Sequence, residues 1–129
     1  MTRFRDIVMG ACIGSIATAA VASLGDVSTM DPLKLSPQYY KLRFENSRVR
    51  VLEYHLKPGE KEVMHSHPAR ILLALADATA KSTLADGRVS ANPSIQGEVK
   101  WNDPLTHKVE NIGTTEAHYL SVELKNCPN

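Results

Sequence analysis

Three histidines stand in two stretches whose residue types and spacing suit metal binding. His65 and His67 are two residues apart, and His107 lies well downstream of them. Side chains two apart on a strand point to the same face, with Cα atoms roughly 6.5–7 Å apart, whereas on a helix they diverge by about 200°. If both stretches are strands, the three imidazoles can therefore converge on one divalent ion while Ser66 points away.

The sequence around the histidines favours strands. Pro58 and Gly59 break the chain just before the first stretch, and aliphatic residues follow it. Further runs of strand character recur between turn residues, and besides the stretch around His65 and His67 we predict strands at 39–45, 49–56, 71–75, 79–85, 88–91, 99–101, 106–110 and 118–124. We predict a hairpin at Asp86-Gly87, and a break at Asn92-Pro93. With no helix predicted, this pattern indicates an all-β chain that forms an antiparallel β-barrel.

Length and composition limit the classes of function. A chain of 129 residues has room for one domain, and its net charge of +1 comes from scattered basic residues, so no nucleic-acid-binding surface is indicated. Cys12 and Cys127 are the only cysteines, which excludes a paired-cysteine zinc motif.

The N-terminal segment is predicted to lie outside the fold. Arg3 and Arg5 precede an uncharged run, and Ala20-Val21-Ala22 is a small-x-small pattern, so residues 1–22 are interpreted as a cleaved signal peptide. The mature protein would be exported, periplasmic or secreted, without membrane contact; an uncleaved membrane anchor is the alternative. Residues 23–45 would form a lead-in with the first strand, and 46–126 the main domain.

The spacing of the histidines also matches two motifs of a known family. Gly59, five residues, and then His65-x-His67 correspond to the first motif of the cupin superfamily. His107 followed after three residues by Asn111 corresponds to the end of its second motif. On these residues the chain resembles the small single-domain cupins.

The resemblance covers about residues 46–126 and implies a jelly-roll barrel with a divalent metal bound by His65, His67 and His107. Cupins commonly pair through edge strands, so it also implies a homodimer. Residues 109–115 resemble a subgroup labelled as β-alanine degradation proteins.

One ligand of the cupin motif is missing. Its glutamate should stand four or five residues after His67, where this chain has Ile71 and Leu72. If one continuous strand runs through these positions, the side chain of residue 71 lies on the same face as His65 and His67. It would therefore project where the carboxylate of the motif belongs. The sequence therefore predicts a three-His site. Asn111 is the predicted hydrogen-bond partner of the ligand histidines, and Glu110 is predicted to face outward.

Three neutral imidazoles would leave a bound ion with its full dipositive charge, which favours water or an anionic ligand in the open positions. Imidazole ligands suit Zn, Fe, Ni and Cu, and the sequence does not indicate which of these metals is bound. Similarity to cupin thiol dioxygenases favours oxygenase chemistry on a small anionic metabolite, and a hydrolytic zinc site has the same ligands.

Two other readings stay open: a non-catalytic cupin that binds or senses a small molecule or metal, and a structural protein with vestigial histidines. Glu53 is the only acid that strand alternation could turn inward. His118 shares a face with Leu120 and Val122, and is predicted at the rim or in the core rather than as a fourth ligand. Side chains predicted to be exposed are His55 and Arg70, and those predicted to pack are Tyr54 and Trp101.

Overall fold

The computed structural model describes residues 29–125, which form one short helix and nine strands. In chain order these are α1 (Pro32–Leu35), β1 (Tyr40–Glu45), β2 (Val49–Leu56), β3 (His65–His67), β4 (Arg70–Ala74), β5 (Ala78–Leu84), β6 (Val89–Ser94), β7 (Val99–Asn102), β8 (Leu105–Asn111) and β9 (Ala117–Leu124). The predicted signal peptide and Cys127 lie outside the described residues.

The strands pair into two antiparallel sheets. One has the order β1-β2-β9-β4-β7 and the other β3-β8-β5-β6. Residues of both sheets line a common cavity, so the sheets face each other across it. This confirms the prediction of an all-β antiparallel fold.

The predicted hairpin is present, but the predicted break after it is wrong. β5 pairs with β6 across Asp86-Gly87, and Gly87 has φ of 88°, a conformation that glycine adopts without strain. β6 then continues through Pro93, which pairs with Thr79. A proline is tolerated there because β6 is an edge strand, where the missing N–H removes no ladder hydrogen bond.

Helix α1 corrects the prediction that the chain after residue 22 has no helix. The Asp31 carboxylate accepts a hydrogen bond from the Leu33 amide at 3.0 Å, and Pro32 occupies the first turn. An Asp cap followed by proline is a strong helix start. Within residues 29–125, no helix has the length and apolar character needed to cross a bilayer.

The hydrophobic core lies on the inner face of the five-stranded sheet. Leu52, Tyr54 and Leu56 share the inward face of β2, as their alternation predicts, and two of them are completely buried. The remaining core side chains are Tyr40, Ala74, Ala117 and Tyr119 of the same sheet, and Ala78 of the four-stranded sheet. Strand β1 pairs with β2 along its length and so belongs to the same sheet.

The side chains of β9 lie on the opposite faces of the sheet from those that its apolar residues predict. Its buried residues include Ser121 and Glu123, whereas Leu120 and Val122 lie on the outer face of the sheet. Register explains this, because the outer face carries an apolar row that crosses all five strands. The row consists of Phe44, Val51, Val122, Ile71 and Trp101, each paired with the next. Trp101 is exposed there instead of packing inside.

We expect Leu52→Ala to lower the free energy of unfolding by about 2–5 kcal/mol, because it leaves a cavity in the centre of β2. Val89→Ala, at a side chain that is 60% exposed, is the control and should change stability by less than about 0.5 kcal/mol. Urea denaturation followed by circular dichroism measures both. Equal losses in the two variants would contradict this position of the core.

Candidate metal centre

The three predicted ligands meet between the sheets. β3 and β8 pair antiparallel with His65 directly opposite His107, and His67 lies two residues along on the same face. One ring nitrogen of each lies within 4.8 Å of the others, and all three side chains are buried. The predicted juxtaposition of His65, His67 and His107 is therefore present.

Neighbouring acceptors determine where the imidazole protons lie. Nδ1 of His65 is 2.8 Å from the Val63 carbonyl oxygen, which can only accept, so this nitrogen carries the proton. Nδ1 of His67 is 2.5 Å from the Glu123 carboxylate and donates to it in the same way. These contacts leave the Nε2 lone pairs of both rings free to bind an ion.

The free nitrogens point at one another, and the Tyr40 hydroxyl, 3.2 Å from Nε2 of His65, is the one side-chain donor that the described residues place beside them. Nε2 of His65 and Nε2 of His67 are 2.9 Å apart, and Nε2 of His107 is buried without a hydrogen-bond partner. On the other side of the His107 ring, Nδ1 is 2.8 Å from the Ser82 hydroxyl. A cation bound to nitrogens at about 2.0–2.1 Å would satisfy all three lone pairs. The residues present therefore fit a divalent transition metal.

Burial keeps these imidazoles neutral. Loss of solvent lowers the pKa of His65, His67 and His107, the last to about 3, and the charge of Arg70 lowers them further. Neutral imidazole is the form that binds a metal. The cluster is consequently ready to act as a ligand set at neutral pH.

Two buried carboxylates adjoin the cluster, and sequence reasoning identified neither. Glu123 holds His67 on one side and Arg50 on the other, with an Arg50 Nη2 to Glu123 Oε2 distance of 2.7 Å. Burial raises the pKa of Glu123, and Arg50 opposes that rise. Its only sequence signal is its place between Val122 and Leu124. The prediction that Leu120 and Val122 turn towards the interior leaves Glu123 on the other face of β9.

Glu62 is the second buried carboxylate. Tyr54 donates a hydrogen bond to its Oε1 at 3.2 Å, Oε2 has no partner, and Nε2 of His65 is 3.7 Å from Oε1. Burial raises the pKa of Glu62 to about 8, so the side chain carries a proton at neutral pH. A protonated carboxyl group therefore stands beside the candidate ligands.

The acid expected to face inward, Glu53, does not. It lies on the outer face of the five-stranded sheet, where Nε2 of His118 donates to its Oε1 at 2.8 Å and Arg43 pairs with its other oxygen. These two partners lower the pKa of Glu53 to about 2. His118 therefore lies away from the cavity, and half-exposed His55 stacks on it with ring centroids 4.0 Å apart.

Asn111 does not contact the histidines, so the prediction of its role is wrong. Its side-chain amide donates to the carbonyls of Leu56 and Thr115, each at 2.8 Å, and its oxygen accepts from the Gly113 amide. Asn111 thus fastens the end of β8 both to the end of β2 and to the turn that follows β8. Glu110 faces outward, as predicted, and pairs with two lysines.

The alternation of side chains between the two faces does not continue from β3 into β4, because the chain is not in a strand between His67 and Arg70. Ile71 therefore points outward, and Leu72 lines the cavity instead. Arg70, predicted to be solvated, is buried with 5% of its surface exposed and lines the cavity. No carboxylate replaces the missing motif glutamate at these positions.

The cavity beside His107 has a volume of about 480 Å³, which suits a small ligand. Its polar lining includes His107, Arg70, Ser121 and Tyr54. Among the described residues that line it, no side chain is an aspartate or a glutamate.

We expect Glu62→Gln to change how the stability of the metal-free protein depends on pH. The folded protein keeps the Glu62 proton up to about pH 8, whereas the unfolded chain releases it near pH 4.5, so the wild type loses stability as pH rises between these values. For one proton, the free energy of unfolding of the wild type should fall by up to about 1.4 kcal/mol per pH unit in this range. Glutamine has no proton to release, so the variant should lack this fall.

Urea denaturation between pH 5 and pH 8.5 measures this difference. Glu110→Gln, at an outward acid whose pKa is lowered rather than raised, is the matched control and should keep the wild-type slope. Identical slopes in the wild type and Glu62→Gln would contradict a buried, protonated Glu62.

Solved structures with similar folds include cupins. A cupin domain from Bordetella pertussis Tohama I superposes with a TM-score of 0.62 at 20% identity, over 67% of this chain and 92% of that one. A protein with a double-stranded β-helix domain from Klebsiella pneumoniae gives 0.55 at 18% identity, over 92% and 91%. An RmlC-like cupin from Methanocaldococcus jannaschii gives 0.55 at 15% identity, over 66% and 77%.

No family model matches the chain, and no curated protein is significantly similar to it in sequence. The resemblance of residues 109–115 to the β-alanine degradation subgroup thus stays a prediction. The assignment of the fold rests on the structure, because its two antiparallel sheets superpose on solved cupin and double-stranded β-helix domains. The chain has the cupin fold, a double-stranded β-helix.

Proposed function

We propose that this protein is a metal-dependent enzyme that holds a divalent transition metal on His65, His67 and His107 and acts on a small anionic metabolite. The observation that carries the proposal is the convergence of ring nitrogens whose opposite nitrogens are held by Val63, Glu123 and Ser82. Without a cation, their lone pairs face one another in a buried space.

The ligand set indicates the kind of metal and its chemistry. Imidazole ligands suit Fe, Zn, Ni or Cu better than Mg or Ca. When bound, such an ion would supply a Lewis acid with positions open to a ligand. Because the three imidazoles are neutral, the centre would keep its positive charge and favour an anion.

The protein side chains supply orientation and a proton. Glu123 accepts the Nδ1 proton of His67 and so holds that ring and raises its basicity. Glu62 stores a proton at neutral pH within 3.7 Å of a candidate ligand nitrogen, and Tyr54 holds the carboxyl group in place. The cavity between the sheets provides room for a small substrate.

The lining of the cavity supports oxygenase-type chemistry over base-driven hydrolysis. Hydrolytic sites commonly place a carboxylate general base beside the nucleophilic water, and the described lining residues include none. Of the two carboxyl groups that adjoin the histidines, Glu62 is protonated at neutral pH and Glu123 is held by Arg50 and His67. The same feature fits the alternative of a non-catalytic cupin that binds a small molecule or metal. Oxygen uptake with candidate small acids and thiols separates the two, since only the enzyme consumes oxygen with turnover.

Metal content tests the ligand assignment. Protein purified without an affinity nickel column should hold about one transition-metal ion per chain, and His107→Ala should weaken that metal binding at least tenfold, because one of three ligands is lost. His118→Ala is the matched comparison, because Glu53, His55 and His118 form a second, half-buried group of possible ligands on the outer face, and losing His118 should leave the ion at the buried histidines in place. Elemental analysis and isothermal titration measure both.

Two results would count against the site. One is a folded wild-type protein that takes up none of Fe, Zn, Ni or Cu. The other is an equal loss of metal in His118→Ala and His107→Ala, which would place the ion elsewhere.

A further inference from the structure

Buried polar atoms without partners gather at one cavity. Among the described residues, five buried side-chain N or O atoms lack a hydrogen-bond partner. Three of them belong to residues that line the cavity between the sheets: Arg70 Nε, Ser121 Oγ and His107 Nε2. Native proteins satisfy nearly all buried polar groups, so such a concentration indicates a ligand that satisfies them.

Arg70 and Ser121 belong to neighbouring strands. β4 pairs with β9 so that Arg70 lies opposite Glu123 and Leu72 opposite Ser121. Residues two apart share a face, so Arg70 and Ser121 are diagonal neighbours on the inner face of the sheet. Both are buried, and both border the same cavity.

The carboxylates near Arg70 are bound to other groups. Glu123 pairs with Arg50 and His67, and Glu62 accepts from Tyr54. Within residues 29–125, the Arg70 guanidinium forms no ion pair. A buried cation without a partner is costly, and an arginine cannot avoid the cost by losing its proton.

We propose that Arg70 and Ser121 form a carboxylate-binding subsite that holds one end of the ligand while its other end reaches the imidazoles at His107. This rests on the proposed function for the identity of the second end. A guanidinium binds a carboxylate through paired N–H groups, and the serine hydroxyl adds a third donor. Apolar side chains that line the same cavity, Leu72, Leu84 and Val109, suit a short hydrocarbon body between the two ends.

Metal and carboxylate would reinforce each other at this site. The charge of Arg70 already disfavours positive charge on the histidines and acts against a dication in the same way. A bound carboxylate offsets both charges, so each ligand should raise the affinity of the protein for the other by the same factor.

Propionate and propionamide are the probes, because they have the same size and differ in charge. Titration calorimetry on metal-free wild-type protein should show propionate binding at least tenfold more tightly than propionamide. Arg70→Met should abolish this difference, and Ser121→Ala should reduce propionate binding several-fold. Arg88→Met is the matched control, because Arg88 also borders the cavity but is largely exposed and paired with Asp86, and it should keep the difference.

A melting temperature separates binding from a structural role. Arg70→Met removes a buried, unpaired charge, so it should fold and melt at a higher temperature than the wild type. His107→Ala should retain the preference for propionate, so failure of the metal site and failure of this subsite are seen separately. The proposal is overturned if propionate and propionamide bind the wild type alike, if Arg70→Met keeps the preference, or if it melts lower.

Discussion

A partly buried chain of two ion pairs and one hydrogen bond joins the two sheets at the histidine cluster. Arg50 bridges Asp31, which caps α1, and Glu123 on β9, and Glu123 accepts the Nδ1 proton of His67 on β3. Breaking a buried pair by removing one partner costs about 3–5 kcal/mol, because it leaves an uncompensated charge. The orientation of His67 therefore depends on contacts from the N-terminal helix, the centre of one sheet and the edge of the other.

This chain of contacts explains the inverted faces of β9. A strand that serves a polar cavity must turn its serine and glutamate inward, so its leucine and valine lie outside. The outer face of the five-stranded sheet accommodates them in the apolar row from Phe44 to Trp101. Functional sites are where local patterning is expected to conflict with simple burial rules.

The site combines buried groups that are neutral with one buried group that keeps its charge. Burial keeps the histidines neutral and Glu62 protonated, so these residues enter the site without charge. Arg70 stays charged, and among the described residues it forms no ion pair and its Nε has no hydrogen-bond partner. A dication together with an anionic ligand would complete this site, since the cation satisfies the imidazole nitrogens and the anion satisfies the guanidinium.

Short-range patterns in the sequence were enough to predict much of this protein. The i, i+2 spacing of His65 and His67, the alternation of β2 and the turn at Asp86-Gly87 depend on neighbouring residues. Each led to the right element, and the spacing of the two histidines placed both on one face of a strand. The match of His107 to a second motif added the long-range pairing that spacing alone does not contain.

Tertiary structure decided which side of each strand faces the cavity and which charges lie together. Alternation along β9 is equally consistent with either face, and the break between β3 and β4 reverses the parity that pointed to Ile71. Glu62, Glu123 and Arg70 lie at the site only because strands distant in sequence pair in one register. A sequence records the period of a strand, but the direction of its side chains is set by the sheet that it joins.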